Sequence, residues 1–417
     1  MGSRIVAVLD VVPHTAHGGG GVTGYAAVRS MAESGASVHV LALGGAAGHD
    51  AERERHHVRH LEALGITFEG LPEHSRAIPP STLYRRFQPG IEDLYPIQRR
   101  RTEIAAALRR SKPDALFMYH WNAIAAVHGI SDYPKLGTVG DPMDLPYLFH
   151  RALQRRYGRV PATERMRDAV IRRTRLPAMR RAMVTLLNEC DASGAFAAHH
   201  ADELRAAGVA RCEYFRTPTP DPGRTVPEPS AADKVLRVLH IGHLQGIATL
   251  SGVELLVNEI IPALERELRG RPFEIHLVGG SVDSVPEPIR RKLAHPAIRV
   301  RGQVSPADDE FLRAHAVLVP TPIELGIRVR ILTAFSFGSC VIAHDANRRG
   351  IPEMVHNENA LLGRTGGELA DAVVRSWDDP HLRARLQASA RATYDRYFSL
   401  ARAGGAIFRA ASALARS

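Results

Sequence analysis

Ala316-Val-Leu-Val-Pro-Thr-Pro-Ile-Glu324-Leu-Gly326-Ile-Arg328-Val-Arg330-Ile-Leu-Thr333-Ala-Phe-Ser-Phe-Gly338-Ser-Cys-Val-Ile-Ala343 is the stretch that decides the fold. It opens on a short apolar run at 316–319, of the kind a strand buried on both faces requires, and closes on another at 340–343. Between them stand a glycine-containing loop, an amphipathic helix and a glycine, Gly338, where a helix C-cap belongs. Strand, helix, strand in this order predicts a parallel sheet covered by helices.

The same alternation extends in both directions. Upstream, strands are expected at 235–241, 273–278 and 298–300, with a helix at 252–267. Ser305-Pro306 followed by Asp308 and Asp309 has the cap, proline and first-turn acids of a helix start. Before residue 235 lies a stretch rich in proline and turn formers, Thr217-Pro-Thr-Pro-Asp-Pro222 continuing to Pro227-Glu-Pro229, with the composition of a linker. Before that, the pattern starts afresh: strands at 4–9, 38–43, 114–119, 136–139 and 184–187, and a helix at 22–34 with Gly35 at its end. The expected division is 1–215 as one Rossmann-like domain, 216–234 as linker, 235–400 as a second, and 401–417 as a helix crossing back to the first. Two such doubly wound α/β domains would face each other across a cleft, with ligands at the carboxyl ends of the strands.

Bulk properties narrow the class. The 417 residues exceed one hydrophobic core, and 45% hydrophobic with 24% charged residues is ordinary for a globular chain. No apolar run is read as reaching the roughly 18–20 residues that span a bilayer, and the N-terminus reads as a strand rather than a secretory signal. Cys190, Cys212 and Cys340 are too few and too scattered for a disulfide framework or a zinc site. A cytoplasmic location is the expectation. The net charge of +10 is almost all arginine, lysine standing only at 112, 135, 234 and 292, and a basic surface suits phosphate-bearing partners or an anionic membrane face.

Three loops can carry chemistry. His17-Gly18-Gly19-Gly20-Gly21-Val-Thr23-Gly24 joins the first strand to the first helix; its glycines allow close backbone approach, though the spacing departs from a dinucleotide fingerprint. Gly242-His243-Leu-Gln-Gly246 is the corresponding turn of the second half. In the third, Arg328 and Arg330 stand where a loop enters a helix, and two guanidiniums with a helix N-terminus suit a diphosphate. Glu324 is placed to accept ribose hydroxyls.

In this order of segments the chain resembles the group 1, family 4 retaining glycosyltransferases of the GT-B fold. The resemblance rests on His17–Gly21, His240-Ile-Gly242, Val278-Gly279-Gly280, Gly302-Gln-Val304 and Gly326 through Ala343, and is strongest over 235–365. The nearest subgroup has a donor loop reading Gly-Ile/Val-Arg-Val-Lys, here Gly326-Ile327-Arg328-Val-Arg330. The departures are specific. His243 takes the position of the usual arginine, the usual lysine falls near Ser251, the second glutamate of the Glu-x7-Glu motif becomes Thr333, and the first-domain His-Asp becomes Gly140-Asp141.

What the resemblance implies is sugar transfer from a nucleotide-diphosphate sugar with retention of configuration, without metal or other cofactor. Gly242, His243, Gly246, Glu324, Gly326, Ile327, Arg328, Arg330 and Thr333 would hold the donor. Asp141 and His120 are the candidate catalytic groups, and Gly19, Gly20, Gly21 and Thr23 form the acceptor-side loop. The acceptor would be a saccharide or a lipid-linked saccharide, in polysaccharide assembly. Arg151, 155, 156, 159, 165, 167, 172, 173, 175, 180 and 181 stand against Glu164 and Asp168 alone. A helix capped by Thr163, with Met166, Val170 and Ile171 as an apolar edge, suits peripheral contact with an anionic membrane. The stretch lacks the interleaved aromatics of a nucleic-acid surface, so no nucleic acid is expected. The rival readings are a nucleotide-sugar epimerase, with Glu324 and Asp141 as the carboxylates, and a non-catalytic partner protein, suggested by Thr333 and His243.

Overall fold

The apolar runs become strands buried on both faces: in β1 (Arg4–Leu9) every residue after Arg4 is buried. The computed structural model describes residues 3–14, 19–44, 51–71, 89–158, 161–227 and 234–416. His17 and Gly18 lie outside them, as do residues 228–233 of the expected linker.

Two compact units emerge, one of residues 1–218 with 403–417, the other of residues 219–402. The first unit has a seven-stranded sheet in the order β3-β2-β1-β4-β5-β6-β7, built from β1, β2 (Ser37–Ala42), β3 (Thr67–Gly70), β4 (Ala115–Tyr119), β5 (Lys135–Val139), β6 (Ala192–Ala195) and β7 (Glu213–Tyr214). The second has six strands in the order β10-β9-β8-β11-β12-β13: β8 (Leu236–Ile241), β9 (Phe273–Val278), β10 (Ile298–Gly302), β11 (Ala316–Val319), β12 (Val341–His344) and β13 (Leu361–Gly363). Every pairing among these strands is parallel. In each sheet the order reverses once, between β1 and β4 and between β8 and β11, and such switch points open a crevice at the strands' carboxyl ends.

The helices that position these edges are α1 (Gly19–Glu33), α2 (Trp121–Ala126), α3 (Leu145–Tyr157), α4 (Ala162–Arg173), α5 (Arg175–Asn188), α6 (Ile247–Leu255), α7 (Val329–Ser336) and α8 (Gly405–Leu414). α1 and α8 cover one face of the first sheet, where Tyr25, Val28 and Met31 meet Ile407 and Ala411 over Ile5, Ala7 and Phe117. In the second unit, Ile331, Leu332 and Phe335 of α7 pack on Val317, Val319 and Val341.

Several local expectations are corrected. Residues 184–187 are not a strand but the end of α5, whose buried Leu176, Ala182, Met183, Leu186 and Leu187 follow helical spacing; β6 comes after it. Gly19–Gly21 are the first turn of α1 rather than loop. Thr163 does not cap α4, which starts from Pro161. Ser305-Pro306 is a cis peptide, and the helix after it begins at Asp308. The helical run Ile247–Leu268 is long and apolar enough to cross a membrane, yet most of it is buried inside the second unit. Residues before the undescribed part of the linker are held to that unit, Thr219 N–H donating to the Phe398 carbonyl and Val226 N–H to that of Phe337.

Candidate functional site

At the carboxyl edge of β8 and β11 the decisive residue is Arg330, in the first turn of α7. Its Nη1 donates to the Ile241 carbonyl at 2.7 Å and to Thr249 Oγ1 at 3.0 Å, and its Nη2 to Thr321 Oγ1 at 2.9 Å. All three acceptors are neutral. The Nε–H is enclosed and has no acceptor among the described residues. Burial, and then the charge of Arg328, pull its pKa down to about 9. A cation held only by neutral oxygens in a partly desolvated edge is set to receive an anion.

Glycine at 242 permits this placement: a side chain there would collide with Arg330 Nη1 and stand 2.8 Å from Thr249 Oγ1. Below it, His240 is fully buried and donates from Nδ1 to the Leu318 carbonyl at 3.0 Å. Burial and the Arg330 charge hold that imidazole neutral, with a pKa of about 3. Beside the guanidinium, α6 starts from Gly246 and α7 from Arg328; neither start has a side-chain cap or an acid in its first turn. Two helix N-termini therefore offer N–H groups and the positive end of a dipole at one sheet edge.

The other expected donor residues are more dispersed. Gly326 has φ +45°, the left-handed conformation that glycine adopts without strain. Ile327 packs, half-buried, on the core of the second unit. Glu324 is exposed and ion-paired with Arg349. Thr333 Oγ1 donates back to the Val329 carbonyl at 3.2 Å. His243 is exposed, its Nε2 3.4 Å from Ser281 Oγ. Among the described residues no group of three His, Cys, Asp or Glu is placed to hold a metal ion.

The first unit has a corresponding edge. His120 follows β4 with φ +77°, a conformation rare for a residue with a side chain and found at sites under functional constraint. Its ring stacks on Tyr119, centroids 3.8 Å apart, and passes so close to Gly20 and Gly140 that a Cβ there would lie 3.0 and 3.3 Å from it. Burial lowers its pKa to about 4, leaving it neutral near pH 7. Gly21 lies against His14 in the same way, with 2.8 Å to Nε2. Asp141 is at the end of β5, where its carbonyl accepts from Trp121 Nε1 at 2.8 Å, and its carboxylate lies 3.9 Å from His200 Nδ1. Thr23 is buried.

Sequence reasoning missed Asp10, which ends β1 at the same edge. Its Oδ2 accepts from Asn122 Nδ2 at 3.4 Å while Oδ1 is enclosed without a partner among the described residues. Burial raises its pKa to about 6, partly offset by the Asn122 and Ala123 donors. The signal was present: an acid directly after the first strand, at the switch point. Thr249 and Thr321 were missed too, because their role appears only once α6 and β11 are brought together.

Residues 236–379 match the family profile described as Glycosyl transferases group 1. No curated protein sequence is significantly similar to the chain. Among solved structures, a glycosyltransferase from Rickettsia africae is similar over 99% of this chain and 98% of its own (TM-score 0.67, 13% identity). HepE from Anabaena, solved with UDP and glucose, covers 98% and 99% (0.65, 15%). Sucrose-phosphate synthase from Thermosynechococcus elongatus covers 98% and 99% (0.68, 15%). The fold is thus GT-B, with two Rossmann-like domains. The profile match lies within the second unit, while the structural likeness extends over both.

Proposed function

We propose that this chain is a glycosyltransferase, moving a sugar from a nucleotide-diphosphate sugar to a saccharide or lipid-linked saccharide acceptor, with retention and without a metal ion, at the cytoplasmic face of a membrane in polysaccharide assembly. The observation that carries the donor half is Arg330, a charged group given only neutral partners, between two uncapped helix N-termini. In transfer, the bond from the anomeric carbon to the β-phosphate oxygen breaks and the nucleoside diphosphate keeps the electron pair. The new bond forms to an acceptor oxygen, whose proton is given up. The developing phosphate charge is the quantity Arg330, Arg328 and the helix N–H groups would stabilise. Supplying that charge from guanidiniums is what makes a metal unnecessary in this reading, and the UDP bound by the Anabaena neighbour is of the matching ligand class.

On the first domain, Asp10, His120 and Asp141 would receive and orient the acceptor hydroxyl, with Gly20 and Gly21 admitting it close to the backbone. A neutral His120 and an Asp10 titrating near 6 are suited to exchanging a proton at neutral pH. The test is incubation of the purified chain with UDP-, GDP-, ADP- and TDP-sugars and simple saccharide acceptors in the presence of chelator, following nucleoside diphosphate release and product configuration by NMR. Release from one donor with the anomeric configuration kept is expected. Binding of every nucleotide without turnover would mean a non-catalytic partner, and inversion or metal dependence would overturn the mechanism.

A further inference from the structure

Helix α4 buries only one residue, Asp168. That carboxylate accepts from Tyr147 Oη at 2.6 Å, Arg155 Nη2 at 2.5 Å and Arg172 Nε at 3.0 Å. An ionic hub, not apolar packing, therefore holds the inward side of α4 to α3. Arg180 of α5 is likewise taken up, by Asp144.

The outward side is different. Met166 and Val170 are 69% and 45% exposed, two of the five large apolar side chains so exposed among the described residues. At 3.6 residues per turn both lie about 160° around the helix from Asp168, so they face directly away from the domain. Arg173 shares this face, about 40° from its centre, and Arg167 and Arg165 stand about 80° and 120° from that centre on opposite sides. These three arginines, and the exposed Arg175 and Arg181 that follow, have no ionic partner among the described residues. The acids of the helix are elsewhere: Asp168 is inside and Glu164 is paired with Arg151 at 3.3 Å.

We propose that the outward face of α4 docks on an anionic lipid bilayer, with Met166 and Val170 entering the acyl boundary and Arg165, Arg167 and Arg173 meeting lipid phosphates. Unneutralised arginines around an apolar pair match that surface in both charge and polarity. A nucleic acid would use the charges but has no apolar layer to receive a methionine and a valine. This deepens the membrane-face part of the proposed function, naming the element and the lipid class, but the binding itself does not depend on sugar transfer.

The experiment is co-sedimentation of the full chain with vesicles of phosphatidylcholine alone or mixed with phosphatidylglycerol, at low and high salt. Binding to the mixed vesicles, weakened by salt and absent on pure phosphatidylcholine, is expected. Arg165→Gln with Arg173→Gln should lower the partition coefficient roughly thirtyfold, about fivefold per charge. Met166→Gln with Val170→Gln should lower it roughly tenfold. The variants' thermal unfolding and nucleotide response, read in the same preparations, should match wild type because the altered groups are exposed. Equal binding to both vesicle types, binding to neither, or a Met166/Val170 variant that binds like wild type would overturn the proposal. Vesicle binding without any nucleotide response would leave this surface standing and remove the donor reading.

Discussion

Replacing Arg330 with methionine separates its two roles, holding the sheet edge and receiving an anion. The substitution removes three hydrogen bonds, to the Ile241 carbonyl, Thr249 and Thr321, each worth about 0.5–1.5 kcal/mol net. Against this stands the cost of keeping the cation desolvated beside Arg328. The fall of its pKa from 12.5 to about 9 corresponds to at most about 5 kcal/mol, and less after solvent screening. The two terms oppose, so the ligand-free unfolding free energy should move by less than about 2 kcal/mol. Nothing offsets the loss for a bound diphosphate. One charge-assisted contact is worth about 1.5–3 kcal/mol, and a charge pair at 4 Å in an effective dielectric of 20 about 4. Affinity for the nucleoside diphosphate should then fall roughly 10- to 1000-fold. Urea unfolding of the free protein and calorimetric titration with nucleotide measure the two quantities separately. Affinity within about threefold of wild type, or a stability loss above about 4 kcal/mol, would show that Arg330 is a structural clamp and nothing more.

Three further outcomes follow from the same geometry. Gly242→Ala must push the Arg330 guanidinium off the β8 edge, costing about 1–3 kcal/mol of stability along with nucleotide affinity; Gly246→Ala, at an ordinary N-cap, should cost under about 1 kcal/mol of stability. His120, with its pKa lowered to about 4, is less protonated in the folded chain than in the unfolded one between pH 4 and 6.5, so stability is lost as pH falls through that window. His120→Asn should remove about 1–3 kcal/mol of that loss, read from chemical unfolding between pH 7 and 4. Asp10 has the opposite sign: its raised pKa of about 6 means the wild type loses stability as pH rises from about 3.8 to 6. Asp10→Asn should therefore gain about 1–3 kcal/mol relative to wild type between pH 4 and pH 7 while impairing transfer.

Strands buried on both faces were the most readable part of this chain, because an unbroken apolar run such as Ala316–Val319 has few other uses. The same logic misread 184–187, where an apolar run was one face of the helix α5 with its partners at Leu176 and Ala182 outside the short window. The edge strands β3, β7 and β13 have three or fewer fully buried residues each and gave no comparable signal. Of the site, Gly242 and Arg330 could be found from a turn glycine and a loop-to-helix arginine, but not that one makes room for the other. The partners Thr249 and Thr321 are separated from Arg330 by 81 and 9 residues and are ordinary threonines in sequence. Glu324 looked like a ribose ligand by position; its pairing with Arg349 depends on how the segment after β12 returns to the loop.

The most direct test is thermal unfolding of the purified chain with chelator present, against UDP, GDP, ADP, TDP and CMP at millimolar concentration. A ligand at about 100 times its Kd adds about 2.7 kcal/mol, which in a domain of this size raises the midpoint by roughly 5–10 °C. One nucleoside diphosphate should produce that shift in the wild type, unaffected by chelator and absent in Arg330→Met. No shift with any nucleotide, or a shift that survives in Arg330→Met, would contradict the assignment of the second-domain edge as the donor site.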